Sequence, residues 1–294
     1  MSRKRGFMLV LCTALISGFS IFINSFAIAK FDPFVLTGLR NMTVALLTLA
    51  FIHFTSKLKR ISKADWLKLA GWGALDGGVA FMLYFYGMKA SNLILASILH
   101  KSIFIFASAI AFLVLKEKLS WKWAGGAALL LGGAIFISGI PSLEIKGGEV
   151  AILGAVLLWA AGNVIAKKLL GRISVGNVIF GRMFFGSITI LAFLAATGST
   201  QLSLTTEHYI WLLATSLLLA GYQLTYFNGL AFLKVSEATS VLAFGSVVTS
   251  LLSLFVMKQP TPLELLGIIG IASGVALVYL SGEVDVHHKT IPRC

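Results

Sequence analysis

Long apolar stretches constrain this chain more than any other feature. Ten of them follow one another, at residues 7–29, 34–54, 66–88, 92–115, 121–140, 148–166, 175–196, 208–230, 236–257 and 262–281. Each is close to the ~20 residues that cross a ~30 Å hydrocarbon core as a helix. A lipid-exposed backbone must satisfy its own hydrogen bonds, and these stretches are too long and too continuous for barrel strands. They predict an all-α membrane protein with ten transmembrane helices.

Composition excludes the soluble two-domain protein that 294 residues would otherwise suggest, because 58% of the residues are hydrophobic and only 12% are charged. The longest segment outside the spans is the tail after Ser281, which leaves no room for a soluble domain. The basic start followed by an apolar run imitates a secretory signal. However, the run 7–29 exceeds the usual apolar region of ~7–15 residues, so it is interpreted as the first helix.

The basic residues predict the orientation in the membrane. Most of them fall in alternate connections, at 3–5, 57–68, 116–122 and 167–172, on the side that also holds both termini. The positive-inside rule therefore predicts a multi-pass protein of the cell (plasma) membrane with both termini in the cytoplasm. Topology and anionic lipid headgroups account for the net charge of +13, so no nucleic-acid partner is expected.

The chain also repeats itself. A shift of 142 residues superposes Arg40 on Arg182, Tyr84-Phe85 on Tyr226-Phe227, Gly87 on Gly229, Gly125 on Gly267 and Gly132 on Gly274. Ten spans then divide into two five-helix units, 1–140 and 141–294, the second ending in a short cytoplasmic tail. Because five is odd, the units enter the membrane from opposite faces. Such inverted repeats are typical of transporters, which open a midplane site to each side in turn.

The same residues carry a family resemblance. Each unit has an arginine early in its second helix, Tyr-Phe-x-Gly at the end of its third and Ala-Ser or Ala-Thr at the start of its fourth. The first unit also has Lys-Glu-Lys-Leu-Ser before Trp121. From about residue 7 to 281, the chain resembles the EamA-type branch of the drug/metabolite transporter superfamily. The resemblance implies cytoplasmic termini, a central cavity lined mainly by the first four helices of each repeat, and export of small metabolites such as amino acids. Glu117 becomes Gln259 in the second unit, so the turn before the fifth helix is expected to differ.

Ionisable groups inside spans are the first site candidates, because each costs roughly 2.5–3.5 kcal/mol to insert. Asp76 and Lys101 lie at depths that differ by about 4.5 Å on consecutive spans, which predicts an ion pair. The pair either breaks on protonation or substrate binding during transport, or merely offsets two buried charges. Arg40 and Arg182 are candidates for holding a carboxylate or phosphate, or for gating. Structural anchoring near the membrane surface is the alternative for both.

Uncharged candidates complete the site. Ser97, Lys101, Phe104 and Ser108 share one helical face, which maps onto Thr239 and its neighbours and predicts either cavity lining or close packing. His100 is interpreted as a histidine satisfied between helices, with proton relay as the alternative. Aromatic and amide side chains offer a surface for amphipathic solutes. The full candidate set is Asn24, Arg40, Asp76, Tyr84, Ser97, Lys101, Trp159, Asn163, Arg182, Tyr222, Tyr226 and Thr239.

These features predict a secondary active transporter that exports small metabolites by alternating access, with protons as the candidate coupling ion. A sugar-nucleotide or phosphate exchanger is the alternative, although only three cations lie in spans, and a passive channel would require a continuous polar row. No enzyme motif is present. Two cysteines and scattered histidines predict neither a metal site nor a cofactor. The expected partners are a small-molecule substrate and the bilayer, and the expected state is a monomer or weak homodimer.

Overall fold

The computed structural model describes residues 2–27, 30–54, 61–90, 98–138, 147–198, 204–257 and 261–282, and within them every regular element is helical. In chain order the elements are α1 (Arg3–Ala27), α2 (Pro33–Phe54), α3 (Lys63–Trp72), a π-helical segment (Gly73–Val79), α4 (Ala80–Ala90), α5 (Ile103–Leu115), α6 (Trp121–Ser138), α7 (Gly147–Leu170), α8 (Val175–Ala196), α9 (Thr206–Leu230), α10 (Val235–Leu242), α11 (Gly245–Met257) and α12 (Pro262–Ser281).

Nine spans in the described residues are long and apolar enough to cross a membrane, as expected for a multi-pass membrane protein. The predicted span 66–88 is divided between α3, the π segment and α4. The predicted span 236–257 is interrupted by a turn between α10 and α11. Residues 92–97 of the fourth predicted span lie outside the described part of the chain.

Local sequence explains several helix starts. The carboxylate of Asp32 accepts hydrogen bonds from the backbone N–H groups of Phe34 and Val35, at 2.8 and 3.2 Å. Pro33 then occupies the first position of α2, where a missing N–H costs nothing. At the start of α12, Thr261 and Glu264 form a reciprocal capping box around another N-terminal proline. Both prolines therefore lie at helix starts, where the sequence placed the turns.

The π segment is the main departure from regular helix, and its freed carbonyl groups find side-chain partners. The Trp159 indole N–H donates to the carbonyl of Asp76 at 3.0 Å, and the Asn41 amide donates to the carbonyl of Gly77 at 3.1 Å. These bonds satisfy backbone acceptors that would be costly to leave unpaired in a buried site. The segment therefore places Asp76 at a rigidly held irregularity, the kind of feature that often marks functional sites.

Glycines bring helices together in matched pairs. A Cβ atom on Gly229 of α9 would stand 2.9 Å from the Gly6 carbonyl oxygen of α1, and one on Gly87 of α4 would stand 2.6 Å from that of Gly148 in α7. The second pair follows from the first by adding 142 to residue 6 and subtracting 142 from residue 229. The α1–α9 and α4–α7 crossings are therefore equivalent in residue register.

The crossing of α6 and α12 follows a slightly different register. A Cβ on Gly274 would lie 2.8 Å from the Gly126 carbonyl oxygen, and one on Gly267 would lie 2.7 Å from that of Gly133. These contacts are reciprocal at an offset of 141 residues. The sequence superposition of Gly125 on Gly267 at an uninterrupted offset of 142 is therefore wrong for the packing of these two helices.

Polar contacts join several helices at the end of the bundle that carries Arg3. The Arg3 guanidinium donates to the Glu237 carboxylate at 3.3 Å and to the carbonyl of Tyr279 at 2.6 Å. The Glu117 carboxylate accepts from the backbone N–H groups of Val235 and Ser236, at 2.7 and 3.1 Å. A carboxylate is favourable at this position because the first N–H groups of α10 lack helical partners. These contacts join α1, α10 and α12 and connect the α5–α6 turn to α10.

Candidate substrate-binding site

Two adjoining cavities occupy the interior of the bundle. The central cavity has a volume of about 200 Å³ and is lined by residues of α1, α2, the π segment, α4, α7, α8 and α9, among others. The side cavity has a volume of about 310 Å³ and extends towards α5, α10 and α11. Ser17, His100 and Tyr222 line both cavities. The volumes suit a small solute rather than a macromolecule.

An ion pair between Asp76 and Arg182 forms the charged wall of the central cavity. The Arg182 Nε–H donates to the Asp76 carboxylate, and both side chains are largely buried. The rings of Phe81 and Phe227 lie 6.0 Å from the guanidinium carbon, at the outer limit of cation–π contact. The two charges therefore neutralise each other in a site with little access to bulk water.

The predicted pair between Asp76 and Lys101 is wrong. Lys101 instead donates from Nζ to the Ser138 hydroxyl, at 3.3 Å. The reason is packing: α5 lies against α7 and α10, whereas the π segment lies against α8, which carries Arg182. Matching depth along consecutive helices was therefore insufficient, because the two helices do not face each other.

Gly162 in α7 makes room for the Asp76 carboxylate, since a Cβ atom there would collide with it. We expect Gly162→Ala to push the carboxylate away from Arg182, at a cost of about 1–3 kcal/mol in stability, and to slow transport. Thermal unfolding in detergent and proteoliposome transport would measure both effects.

Gly154 provides a matched control on the same helix. A Cβ atom there would meet only Leu83 Cδ1, at an ordinary 3.5 Å. Gly154→Ala should therefore leave both properties intact. Equal behaviour of the two alanine variants would show that the carboxylate does not depend on the space at residue 162.

Arg40 lines the same cavity without an acidic partner among the described residues. Only 6% of the residue is exposed, and its guanidinium Nη1 donates to the Asn24 side-chain oxygen at 3.4 Å. Its Nε–H is buried and has no hydrogen-bond partner in the described structure. A snorkelling side chain would reach solvent, so burial contradicts that interpretation. Arg40 therefore offers an unused donor and a positive charge to a bound solute.

Uncharged groups of the central cavity supply further hydrogen-bonding capacity. The Tyr226 hydroxyl donates to the Asn163 side-chain oxygen, and Tyr222 stacks against Tyr226 with ring centroids 5.8 Å apart. The indole N–H of Trp72 and the side-chain oxygen of Gln223 are both buried without partners in the described structure. The cavity thus presents one free neutral donor and one free neutral acceptor beside its aromatic surface.

The side cavity contains Tyr84, Lys101 and Thr239. His100 lies between the two cavities, with its ring centroid 4.9 Å from that of Tyr84 and 5.4 Å from that of Trp159. The expected histidine satisfied between helices is therefore a cavity-wall residue without a described hydrogen bond. A polar face of α10 and α11, formed by Thr239, Ser246 and Ser250, also lines this cavity, whereas Phe104 and Ser108 are fully packed inside the bundle.

The described sequence candidates all come together around these two cavities. Asn24, Arg40, Asp76, Trp159, Asn163, Arg182, Tyr222 and Tyr226 line the central one, and Tyr84, Lys101, Thr239 and again Tyr222 line the side one. Ser97 lies outside the described residues. Sequence reasoning missed Phe81 and Gly162. Phe227 was visible only as part of the repeated Tyr-Phe pair.

A multi-pass helical bundle around a small, charged and aromatic cavity defines a membrane transporter rather than an enzyme. The sequence profile of the EamA-like transporter family matches residues 4–139 and again residues 146–280. The chain therefore belongs to that family, and the resemblance drawn from the sequence is confirmed.

Curated relatives and a solved structure agree with this assignment. A "Probable amino-acid metabolite efflux pump" of Salmonella typhimurium (strain LT2) is 27% identical over 207 residues, and one of Escherichia coli (strain K12) is 26% identical over 207 residues. Each match covers 67% of this chain and 64% of the relative, so the chain aligns with less than two thirds of either protein. A crystal structure with 16% identity matches 97% of this chain and 100% of its own, with a TM-score of 0.79, and so shares the fold.

Proposed function

We propose that this protein is a secondary active exporter of small metabolites such as amino acids, and that it works by alternating access. The central cavity carries this proposal, because it combines a buried Asp76–Arg182 pair with an unpaired, buried Arg40. A guanidinium is a suitable partner for a substrate carboxylate. The amino-acid efflux pumps among the relatives support the substrate class.

The proposed architecture is ten transmembrane helices in two inverted units, residues 1–140 and 141–294. Two observations support it. The family profile matches the chain twice, beginning at residue 4 and again at residue 146. The crossing of α1 with α9 has its equivalent in that of α7 with α4 at the same offset. Equivalent interfaces are what two interconverting halves require if each is to adopt the other's conformation.

The proposed orientation places both termini in the cytoplasm and the protein in the plasma membrane, as a monomer or weak homodimer. The contacts of Arg3 with Glu237 and of Glu117 with α10 would then close the cytoplasmic end. Labelling of single cysteines at Ser2 and at Gly198 from either side of intact cells tests this orientation. Labelling of Ser2→Cys from outside would contradict it.

Coupling is proposed to act through the Asp76–Arg182 pair. Protonation of Asp76 would remove the negative charge that holds Arg182, and the freed guanidinium could then bind substrate. Protons are the proposed coupling ion because Asp76 is the acidic residue found in the described cavity walls. A pH gradient across proteoliposomes should therefore drive net movement of solute, and rates that ignore the gradient would exclude proton coupling.

Counterflow in proteoliposomes tests the transporter mechanism itself. Vesicles preloaded with an unlabelled amino acid should accumulate the labelled form transiently, because a carrier exchanges solutes faster than it returns empty. A passive channel would only equilibrate the label. The absence of counterflow across a panel of amino acids would contradict the proposed function.

A further inference from the structure

We infer that the cavities select organic anions, with Arg40 receiving one carboxylate in the central cavity and Lys101 receiving a second in the side cavity. This inference rests on the proposed transport function and narrows its substrate class. A dicarboxylic amino acid or a dicarboxylate would then be a better substrate than a neutral amino acid.

The charges on the cavity walls carry the argument. The central cavity contains Asp76, Arg40 and Arg182, and the side cavity contains Lys101. Asp76 and Arg182 neutralise each other. Neither Arg40 nor Lys101 forms an ion pair with any residue that the structure describes, and His100 adds no negative charge in either protonation state. The walls described here therefore carry two uncompensated positive charges.

Burial makes this imbalance selective. An unpaired cation in a site of low dielectric is unfavourable, and an anionic ligand removes that cost while a neutral ligand does not. Arg40 has only a neutral side-chain oxygen, that of Asn24, as its partner. Lys101 has only the hydroxyl of Ser138. Both groups therefore retain donors and charge for a carboxylate.

The ammonium group of a zwitterionic amino acid finds a poorer site. Its natural partner would be a carboxylate, but the one in the described walls, Asp76, is held by Arg182. The side-chain oxygen of Gln223 is a free acceptor in the central cavity, but it carries no charge. An ammonium can thus be hydrogen-bonded there, whereas a second negative charge gains an ionic partner.

The two cations can serve one solute or one path. The central and side cavities share wall residues, including Ser17 and Tyr222, so they adjoin directly. Arg40 lies on α2 and Lys101 lies just before α5, on different sides of this shared wall. A solute with two separated carboxylates could contact both, and a smaller anion could pass from one to the other.

Counterflow with three solutes tests the inference: glutamate, glutamine and succinate. Glutamate and glutamine have nearly the same shape but differ by one charge, and succinate lacks the ammonium group. Glutamate exchange should exceed glutamine exchange by about tenfold, the ratio that corresponds to ~1.4 kcal/mol. Succinate should also exchange. Glutamine exchange as fast as that of glutamate would overturn the inference.

Variants connect the preference to Lys101. Lys101→Gln should bring the glutamate-to-glutamine ratio close to one, and Lys101→Arg should retain the preference because it keeps the charge. Lys122→Gln is the matched control, since Lys122 is exposed and lines neither cavity. A ratio unchanged in a folded Lys101→Gln protein would overturn the role of Lys101, and folding is checked independently by size-exclusion chromatography.

The two proposals fail in different ways. If neither glutamate nor succinate exchanges but neutral amino acids do, the inference about anions is overturned and the transport function stands. If no amino acid or dicarboxylate exchanges in vesicles that contain folded protein, both are overturned.

Discussion

Asp76→Asn is expected to abolish transport and to lower the free energy of unfolding by about 3–5 kcal/mol, because it leaves the buried Arg182 guanidinium without its counter-charge. The amide is nearly isosteric with the carboxylate, so the effect would report on charge rather than volume. Proteoliposome counterflow and chemical denaturation in detergent would measure the two effects. The protein should still fold, since most of its apolar contacts lie elsewhere.

A double variant separates stability from function. Asp76→Asn combined with Arg182→Gln removes both charges, so it should regain much of the lost stability while remaining inactive. The exposed pair of Lys30 and Glu207, 3.4 Å apart, is the control. Glu207→Gln should cost no more than ~1 kcal/mol because solvent screens both charges. Full, pH-insensitive transport by the Asp76→Asn protein would remove the pair from the mechanism.

The helices were predictable from the sequence because length and hydropathy are local properties. The membrane spans needed only the continuous apolar runs, and the α2 and α12 starts followed from proline at the first helical position. Asp76 and Arg182 were also recognisable, because a charge within an apolar span is unusual and expensive. Which residues bear the site was thus largely accessible without coordinates.

Their pairing was not accessible, because it depends on which helices touch. Counting residues along a span gives the depth of Asp76 or Lys101 but not its neighbours around the helix axis. The π segment adds a second difficulty, since it rotates Asp76 relative to a regular helix and its wider turn is not encoded by hydropathy. Its glycines were visible as Gly73-xxx-Gly77, and the prediction that they allow close packing agrees with their contacts with α8.

The register of the internal repeat shows the same limit. One offset described the chain well as far as Gly87 and Gly229, and the structure keeps it there. For the last helix of each unit, sequence identity at Gly125 and Gly132 favoured the same offset, whereas packing uses Gly126 and Gly133. Adjacent glycines are interchangeable in a sequence comparison but not in a helix crossing, since neighbouring positions point about 100° apart.

The crossing of the π segment with α8 places the backbones of Gly77 and Gly186 in direct contact. A Cβ atom on Gly186 would overlap backbone atoms of Gly77, not the movable end of a side chain. Backbone cannot change rotamer, so an added methyl group must separate the two helices. Arg182 lies one helical turn before Gly186 and Asp76 directly precedes Gly77, so this separation would act on the ion pair.

Gly186→Ala is therefore expected to reduce transport more than tenfold and to destabilise the protein by about 1–3 kcal/mol, although alanine has the higher helix propensity by ~1 kcal/mol. Gly132→Ala in α6 is the control, since a Cβ atom there meets nothing within 4 Å. That variant should gain propensity without steric cost and keep its transport rate. Counterflow and thermal unfolding of both proteins would measure the contrast. If Gly186→Ala behaved like Gly132→Ala, the crossing would have room to open without disturbing Asp76 and Arg182, and the contact of the two backbones could not be what positions the pair.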